Sequence, residues 1–411
     1  MWTSRLAPLA LAPLIMVMGC EEGSGTAAPP VGSGGAGASG GMGGMTTSGA
    51  SDATTGAGTG GTSGTGGGPT GLHAVGNHIE DATGQTIVLH GVNRSGTEYK
   101  CIQSGGIFDG PSTDASVQAI AAWKVNAVRV PLNESCWLAL NGSPAAYSGA
   151  NYKAAIQAYV DVLHSHRLVP ILDLHWVGPG TTQAKREQPM PDADHAAAFW
   201  TDVAQTFLDD TGVVFEPYNE PFPDSNRDSD AGWTCWRDGC TANEAVAQGA
   251  TATTYQATGL QALVTAIRTT TAQHLVLLGG VQYSNALTQW LKYKPDDPLN
   301  NLGAAWHIYS NNACRDETCW DAAPSDVAAM FPIVATEIGE SDCMGTFITP
   351  LMQWLDGKGV GYLAWSWDAF GACTPTTMTQ KGQPWSLVTD YTTGTPNGAF
   401  AQAYHDHVMG L

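Results

Sequence analysis

Short apolar runs alternate with amphipathic segments from residue 87 to the end of the chain. Many of these runs contain β-branched and aromatic residues, which indicates strands. The eight predicted strands are Ile87 to Asn93, Ala127 to Pro131, Val169 to Trp176, Val213 to Asn219, His274 to Gly279, Ala304 to Tyr309, Ile333 to Glu337 and Gly361 to Trp367.

Between the strands, apolar residues recur at spacings of three and four, which is typical of helices that bury one face. The predicted helices are Val117 to Trp123, Tyr152 to Leu163, Ala196 to Leu208, Leu260 to Ile267, Ala286 to Tyr293, Asp326 to Met330, Pro350 to Leu355 and Ala399 to Val408. Alternating strands and helices predict an α/β fold with a parallel sheet. Eight such units favour a closed (β/α)8 TIM barrel over an open sheet.

A different pattern precedes the barrel. From Leu72 to Leu89, apolar and polar residues alternate around Gly76 and Asn77, and a turn follows at residues 81–84. This segment predicts an N-terminal β-hairpin that covers the bottom of the barrel.

The amino end has the composition of targeting and linker segments. Residues 1–20 contain one arginine, an apolar run and Gly19-Cys20, as in a lipoprotein-type signal peptide. Residues 21–71 contain 20 glycines among 51 residues, which predicts a disordered linker. We therefore expect a catalytic domain from 72 to 411, exported as a cell-surface or outer-membrane lipoprotein through Cys20, or secreted.

Charge narrows the range of partners. Residues 72–411 hold 16 basic and 34 acidic residues, a net charge of −18. Nucleic acid is an unfavourable partner, because its binding depends on neutralising phosphates. A neutral polysaccharide is not repelled, a membrane contact is expected only through a lipid on Cys20, and a monomer is expected.

Besides Cys20, the chain has eight cysteines, an even number that suits an exported protein with four disulfides. Cys235 with Cys240 and Cys314 with Cys319 are close in sequence, and we expect each to pair. The remaining pairs are then expected to be Cys101 with Cys136 and Cys343 with Cys373. A zinc site formed by these cysteines is disfavoured by the absence of CxxC spacing.

Polar residues occur where several predicted strands end. The fourth strand runs into Asn219-Glu220 before Pro221, and the seventh ends at Glu337. Because the carboxyl ends of barrel strands converge, the two carboxylates predict glycoside hydrolysis by an acid/base pair. Other polar or aromatic residues at strand ends are Asn93, Arg129, Asp173, His175, His307, Tyr309, Trp365 and Trp367.

Several motifs together resemble glycoside hydrolase family 5, the cellulase family of clan A. They are Gly91-Val-Asn93, Asn126-Ala-Val-Arg129, Asp173-Leu-His175, Asn219-Glu220-Pro221, His307-Ile-Tyr309, Thr336-Glu337-Ile-Gly339 and Trp365-Ser366. The resemblance implies a retaining mechanism with Glu220 as general acid/base and Glu337 as nucleophile. It also implies supporting or substrate-binding positions at Asn93, Arg129, His175, Asn219, His307, Tyr309 and Trp365.

Other carboxylates compete for these roles. Glu340 is ranked below Glu337 because it falls beyond the predicted strand end, and Glu216 is predicted to be a partner of Arg129. Trp233, Trp236 and Trp320 are predicted either to form sugar platforms or to pack inside loops. The loops expected to set specificity are Cys101 to Thr113, Gln183 to Asp194 and Asp224 to Cys240.

The function predicted from these features is a retaining endo-β-1,4-glycanase, first of all an endoglucanase, without cofactor or metal. A β-mannanase or a xylan-type glycanase of the same fold is the alternative. A carbohydrate-binding surface protein without catalysis is more distant, because both Glu220 and Glu337 are present. A serine esterase is disfavoured because residues 72–411 have no Gly-x-Ser-x-Gly motif.

Overall fold

The computed structural model describes residues 67–103, 105–375 and 383–411. The predicted signal peptide, Cys20 and the linker as far as residue 66 lie outside the described residues. Within the described part of the chain, no helix combines the length and apolar character needed to cross a membrane.

Thirteen strands, β1 to β13, occur among the described residues. In chain order they are His73–Val75, His78–Glu80, Thr86–Ile87, His90–Asn93, Ala127–Asn133, Val169–Trp176, Val214–Glu216, Cys240–Asn243, Thr254–Ala257, Val276–Gly279, Leu302–Tyr309, Ile333–Gly339 and Gly361–Ala364.

Eight of these strands form a closed parallel barrel in the order β4, β5, β6, β7, β10, β11, β12 and β13. Closure occurs where β13 pairs with β4, with Tyr362 opposite His90. The predicted (β/α)8 barrel is confirmed. All the strands run in one direction, so their carboxyl ends meet at one rim of the barrel, the face on which βα loops can bring side chains together.

Twelve α-helices, α1 to α12, occur in the described residues. They are Asp114–Ala121, Glu134–Leu138, Ala150–Ser165, Ala196–Thr206, Pro223–Asn226, Asp230–Asp238, Leu260–Thr269, Trp290–Tyr293, Glu317–Trp320, Ala323–Ala328, Ile348–Lys358 and Gly398–Met409. The apolar spacing of three and four places the buried residues of the longer helices on one face. In α3, the buried residues are Tyr152, Ile156, Tyr159, Val160 and Leu163, which recur on one side of the helix.

The N-terminal hairpin is present as the first half of a small meander. His73 pairs with Glu80 across the turn at Gly76-Asn77, and β3 adds a third antiparallel strand. Leu72 and Ile79 belong to the same apolar cluster as residues that begin barrel strands, including Ala127 and Val169. The meander therefore packs against the amino-terminal end of the barrel, opposite the rim where the strands end.

Four barrel strands are shorter than predicted: β4 begins at His90 and β10 at Val276, while β7 and β13 end early. β7 ends at Glu216 because Pro217 has no N–H for the ladder, although Asn219 still donates its backbone N–H to the carbonyl of Leu174 at 3.1 Å. β13 ends at Ala364, and a cis peptide bond joins Trp365 to Ser366. At both strand ends, the residues predicted for the site follow the last residue of the strand and lie outside the sheet.

The segment predicted as a loop from Asp224 to Cys240 is largely structured. It contains α5 and α6 and leads into an antiparallel hairpin of β8 and β9, where Cys240 pairs with Ala257. The prediction of a plain loop was wrong here. A sequence rich in alanine and threonine concealed the hairpin, which is held by contacts with distant residues such as the backbone bond from Ala193 N–H to the Gln256 carbonyl.

Four disulfides link the eight cysteines of the described region. They join Cys101 to Cys136, Cys235 to Cys240, Cys314 to Cys319 and Cys343 to Cys373. The expected pairing is found in full. Two of the bonds close short loops, and the other two span 35 and 30 residues of sequence.

Candidate active site

Glu220 and Glu337 face each other at the carboxyl-terminal rim. Glu337 lies in β12, and Glu220 lies four residues beyond the end of β7. One carboxylate oxygen of each residue and a ring nitrogen of His307 lie within 4.8 Å of one another. An oxygen–oxygen spacing of at most 4.8 Å agrees with the about 5 to 5.5 Å between the carboxyl groups of retaining glycosidases, and it is shorter than the about 6.5 to 9.5 Å of inverting ones.

Arg129, from β5, lies under this pair with a side chain that is fully buried. Its Nη1 donates to Glu337 Oε1 at 2.7 Å and to Asn93 Oδ1 at 3.1 Å. Nε and Nη2 donate to the two oxygens of Glu216 at 2.8 and 3.1 Å, and Nη2 also donates to Asn219 Oδ1 at 2.7 Å. The predicted contact between Glu216 and Arg129 is therefore present, in the bidentate geometry that guanidinium favours.

Negative charges around Arg129 offset the cost of burying its guanidinium group. Burial alone would lower the pKa of Arg129, but Asp173, Glu216 and Glu337 outweigh it and raise that pKa. Burial also opposes ionisation of Glu216, yet Arg129 and His307 hold its pKa below the usual range. For Asp173, burial prevails and raises its pKa. Of the two fully buried carboxylates beside Arg129, Glu216 is thus the one whose ionised form is favoured.

Tyr309 holds the second oxygen of Glu337. The tyrosine is the last residue of β11, and its hydroxyl donates to Glu337 Oε2 at 2.5 Å. With Arg129 on Oε1, both oxygens of Glu337 accept hydrogen bonds, so the carboxylate is fixed in one orientation. Burial, followed by the charges of Glu337 and Glu220, raises the pKa of Tyr309, which keeps its proton.

His307 connects the two carboxylates from β11. Its Nδ1 lies 2.8 Å from Glu220 Oε1 and 3.6 Å from Glu337 Oε2, while Nε2 lies 3.1 Å from Thr336 Oγ1. Burial lowers the pKa of His307, but the nearby carboxylates, first Glu337, outweigh it and raise the pKa to about 9. The imidazolium is the favoured form at neutral pH and donates to Glu220.

A second histidine is kept neutral on the opposite side of the site. His175, in β6, places Nδ1 2.8 Å from Asp173 Oδ2 and Nε2 3.4 Å from Asn219 Nδ2. Burial, reinforced by the charge of Arg129, lowers the pKa of His175 to about 3. Its ring stacks on Trp365 with centroids 5.4 Å apart and planes 11° from parallel. The stack orients the half-buried indole of Trp365 at the rim.

The structure brings all nine predicted site residues together. Asn93 joins them through Arg129, and its Nδ2 donates to the carbonyl oxygens of Thr336 and Ala364 at 2.9 and 3.3 Å. It thereby connects the ends of β4, β12 and β13. Of the other rim residues, Asp173 supports His175, whereas Trp367 is fully buried and belongs to the core.

Glu187 is a further carboxylate at the site, and sequence reasoning missed it. Its Oε1 accepts a hydrogen bond from Asn219 Nδ2 at 2.8 Å and lies 3.8 Å from His175 Nε2. Burial and the charge of Glu220 raise the pKa of Glu187 well above the usual range. It lies in the Gln183 to Asp194 segment, which was predicted to affect specificity, but no periodic pattern there distinguishes one loop carboxylate from another.

Aromatic side chains beside the site were also missed. Half-buried Trp385 packs edge-on against Tyr309, with ring centroids 5.1 Å apart. Phe222 and Tyr283 stack with centroids 4.6 Å apart, directly after the Glu220-Pro221 turn. Phe222 had a signal in the sequence, because it follows the carboxylate at the strand end. Trp385 lies far from any predicted strand.

The sugar-platform alternative for three tryptophans was wrong. Trp233 and Trp236 are fully buried and Trp320 is 4% exposed, so none presents a face to a ligand. Their apolar area is used to pack the loops around α6 and α9. Glu340 is likewise outside the site, as ranked: its oxygens accept the backbone N–H groups of Gly345, Phe347 and Ile348.

A closed (β/α)8 barrel with two carboxylates at its carboxyl-terminal rim defines the class of protein: a glycoside hydrolase built on a TIM barrel. The family model for cellulase, glycosyl hydrolase family 5, matches residues 80–371, well over half of the chain. The chain therefore belongs to glycosyl hydrolase family 5.

Two characterised enzymes are similar in sequence. An endoglucanase of Microbulbifer sp. is 27% identical over 150 residues, which span 36% of this chain but only 26% of that enzyme. A mannan endo-1,4-beta-mannosidase of Streptomyces lividans is 24% identical over 305 residues, 73% of this chain and 67% of that enzyme.

Solved structures agree on the fold. A beta-glucanase from Saccharophagus degradans superposes with a TM-score of 0.58 at 18% identity, over 83% of this chain and 93% of that one. The catalytic domain of a mannanase from Streptomyces sp. SirexAA-E gives a TM-score of 0.56 at 19% identity, over 84% and 93%. At these identities the likeness concerns the barrel architecture alone.

Proposed function

We propose that this protein is a retaining endo-β-1,4-glycanase in which Glu337 is the nucleophile and Glu220 the general acid/base. The observation that carries the proposal is the separation of the two carboxylates. One oxygen of each lies within 4.8 Å of the other, a separation of the size found in retaining enzymes and shorter than the about 6.5 to 9.5 Å of inverting ones.

In the first step, a carboxylate oxygen of Glu337 attacks the anomeric carbon from one face of the sugar. The glycosidic C–O bond breaks, and the proton of Glu220 passes to the leaving oxygen, which departs as a hydroxyl group. Arg129 and Tyr309 each donate to one oxygen of Glu337 and hold it in the orientation for attack.

In the second step, Glu220 is ionised and takes a proton from a water molecule. The water oxygen attacks the anomeric carbon and displaces Glu337, so the ester bond breaks and the configuration of the sugar is retained overall. His307 is the direct partner of Glu220 at 2.8 Å, and its positive charge offsets the negative charge that Glu220 carries between the steps.

We infer that the sugar in the central subsite packs on Trp365. Its indole is half-buried, stacked from behind by His175, and therefore offers one open apolar face to a pyranose ring. Asn219 and Glu187 lie near His175, which stacks on Trp365, and we infer that they supply polar groups for the sugar hydroxyls.

For the substrate, we propose an internal β-1,4 bond of a β-glucan such as cellulose. This follows the cellulase family model and the endoglucanase relative. Mannan is the second candidate, because the mannosidase relative matches about twice as much of this chain, 73% against 36%. A xylan-type polymer has no such observation in its favour.

We propose that the enzyme is exported. Four disulfides are typical of proteins that fold in oxidising compartments, and the polymeric substrates are too large to be taken up intact. The lipoprotein-type signal at residues 1–20 and the glycine-rich linker would tether a monomeric catalytic domain to a membrane surface.

The test is product release from soluble carboxymethyl cellulose, mixed-linkage glucan, mannan and xylan. The full chain is compared with Glu337→Gln and with Glu317→Gln, a matched change at an exposed carboxylate. We expect cleavage of one polymer into oligosaccharides, abolished in Glu337→Gln and unchanged in Glu317→Gln. Anomeric analysis of the first products by NMR should show retained β configuration. A folded wild-type protein that cleaves none of the four would favour a non-catalytic carbohydrate-binding protein.

A further inference from the structure

A second cluster of ionisable residues lies outside the active site. It consists of Glu134, Asp192 and His195, which we call the carboxylate–histidine cluster. Glu134 directly follows β5, Asp192 lies in the loop after β6, and His195 directly precedes α4. One oxygen of each carboxylate and one ring nitrogen of the histidine lie within 4.8 Å of one another.

The cluster contains buried polar atoms with no hydrogen-bond partner among the described residues. They are Glu134 Oε1, Asp192 Oδ2 and His195 Nδ1. Both carboxylates are fully buried. His195 Nδ1 lies 3.2 Å from Asp192 Oδ1, but without the alignment of a hydrogen bond. Three unpaired polar atoms at one buried point are costly, because each loses its hydration on folding.

The charge of the cluster is also unbalanced. In the described part of the chain, neither Glu134 nor Asp192 has a lysine or arginine within 4.0 Å, and the only basic group near them is the imidazole of His195. Buried carboxylates normally pair with a cation or coordinate a metal. Asp192 raises the pKa of His195, so an imidazolium can balance one of the two charges. The second carboxylate then still requires a bound cation or a proton.

The oxygens that are already paired hold the carboxylates in position. Glu134 Oε2 accepts the backbone N–H of Gly178 at 3.0 Å. Asp192 Oδ1 accepts the backbone N–H groups of Asp194 and His195 at 3.0 and 2.8 Å. Hydrogen bonds of this kind commonly orient the side chains that bind a metal. The other oxygen of each carboxylate remains available to bind an ion.

We propose that the carboxylate–histidine cluster binds one divalent transition metal ion of the Zn²⁺ type. Ligands at about 2.0 to 2.2 Å from one ion lie at most about 4.4 Å apart. His195 Nδ1 is 3.2 Å from Asp192 Oδ1 and 3.9 Å from Glu134 Oε2, so each carboxylate group comes within this limit even through the oxygen that also accepts a backbone N–H. One imidazole and two carboxylates suit Zn²⁺, whereas Ca²⁺ and Mg²⁺ prefer oxygen ligands alone.

The ion would have a structural role next to the active site. It would tie the end of β5 to the β6–α4 loop, the same loop that carries Glu187 to Asn219. No metal was expected from the sequence, because the cysteines lack metal-binding spacing. The first two members of this cluster are separated by more than fifty residues, so no local motif marks it.

The test measures Zn²⁺ binding to the full chain, without a polyhistidine tag and after removal of metals by a chelator. Glu220, His307 and Glu337 form another group that could hold an ion, so calorimetric titration uses the Glu220→Gln/Glu337→Gln protein. His195→Gln in that background removes one ligand from a side chain that is 19% exposed. The matched control is His166→Gln, which changes a histidine paired with Asp114 elsewhere.

We expect one equivalent of Zn²⁺ to bind and to raise the melting temperature by roughly 3 to 5 °C when free Zn²⁺ is a hundredfold above its dissociation constant. Binding should be lost in His195→Gln and in Glu134→Gln, and kept in His166→Gln. Absence of binding, or binding that His195→Gln leaves intact, would overturn the proposal. So would a metal-free Glu134→Gln protein that melts higher than its parent, since that result identifies a proton shared between the two carboxyls.

Discussion

Replacing Arg129 by methionine tests how the catalytic centre is held together. Methionine fills similar space but removes every donor that reaches Glu337, Glu216, Asn93 and Asn219. Glu216 is fully buried and Glu337 is 4% exposed, so neither can regain its lost partner from bulk water.

The expected loss of stability follows from that burial. Removing one partner of a buried ion pair costs about 3 to 5 kcal/mol, because the other charge remains without compensation. A domain has about 5 to 15 kcal/mol in total, so Arg129→Met should fold only marginally at neutral pH. Activity should fall with it, since Arg129 orients Glu337.

The loss should also depend on pH in a defined direction. In the wild type the pKa of Glu216 is lowered, so the stability it contributes is present above the unfolded pKa and declines as pH falls through the folded one. Without Arg129, burial raises that pKa and favours the protonated form. The difference between the two proteins should therefore shrink from pH 7 to pH 4.

Urea denaturation of both proteins at pH 7 and pH 4 measures these differences. The double variant Arg129→Met/Glu216→Gln is the control, because it removes one orphaned charge and should recover part of the lost stability. A destabilisation below about 1 kcal/mol at pH 7, or one of equal size at both pH values, would refute this account of the buried charges.

Three further outcomes are expected. Tyr309→Phe deletes one hydrogen bond to the charged Glu337 and should lower kcat by about 10- to 100-fold; a loss below about threefold would exclude a role for the hydroxyl. The pKa of His307 is raised to about 9 in the folded protein, so the stability that this histidine contributes is fully present below its unfolded pKa and is lost as pH rises through about 9. The urea midpoint of the wild type should therefore fall as pH rises through this range, and it should fall less in His307→Gln. Replacing the Cys101–Cys136 pair by serines should cost about 3 to 4 kcal/mol and the Cys235–Cys240 pair about 2, and equal losses in thermal unfolding would contradict the loop-length argument.

Local chemistry determined much of the architecture. Apolar runs and spacings of three and four depend on neighbours along the chain, and they predict eight strands in the right order. The carboxyl ends of parallel strands must converge, which places Glu220 and Glu337 at one rim before any distance is known. Strand boundaries were less secure: Pro217 ended β7 early, and the β8–β9 hairpin depends on contacts with residues far along the chain.

Tertiary structure alone decided which polar groups meet. Glu187 reaches Asn219 from a loop, and Trp385 reaches Tyr309 from beyond the last barrel strand, so neither contact has a sequence period. Burial and neighbouring charges also give the two histidines different protonation states. His175 is held neutral, whereas His307, among more carboxylates, is held charged. The protonation state and the partners of a side chain depend on its neighbours in three dimensions and on the exclusion of water. Neither can be read from the order of residues along the chain.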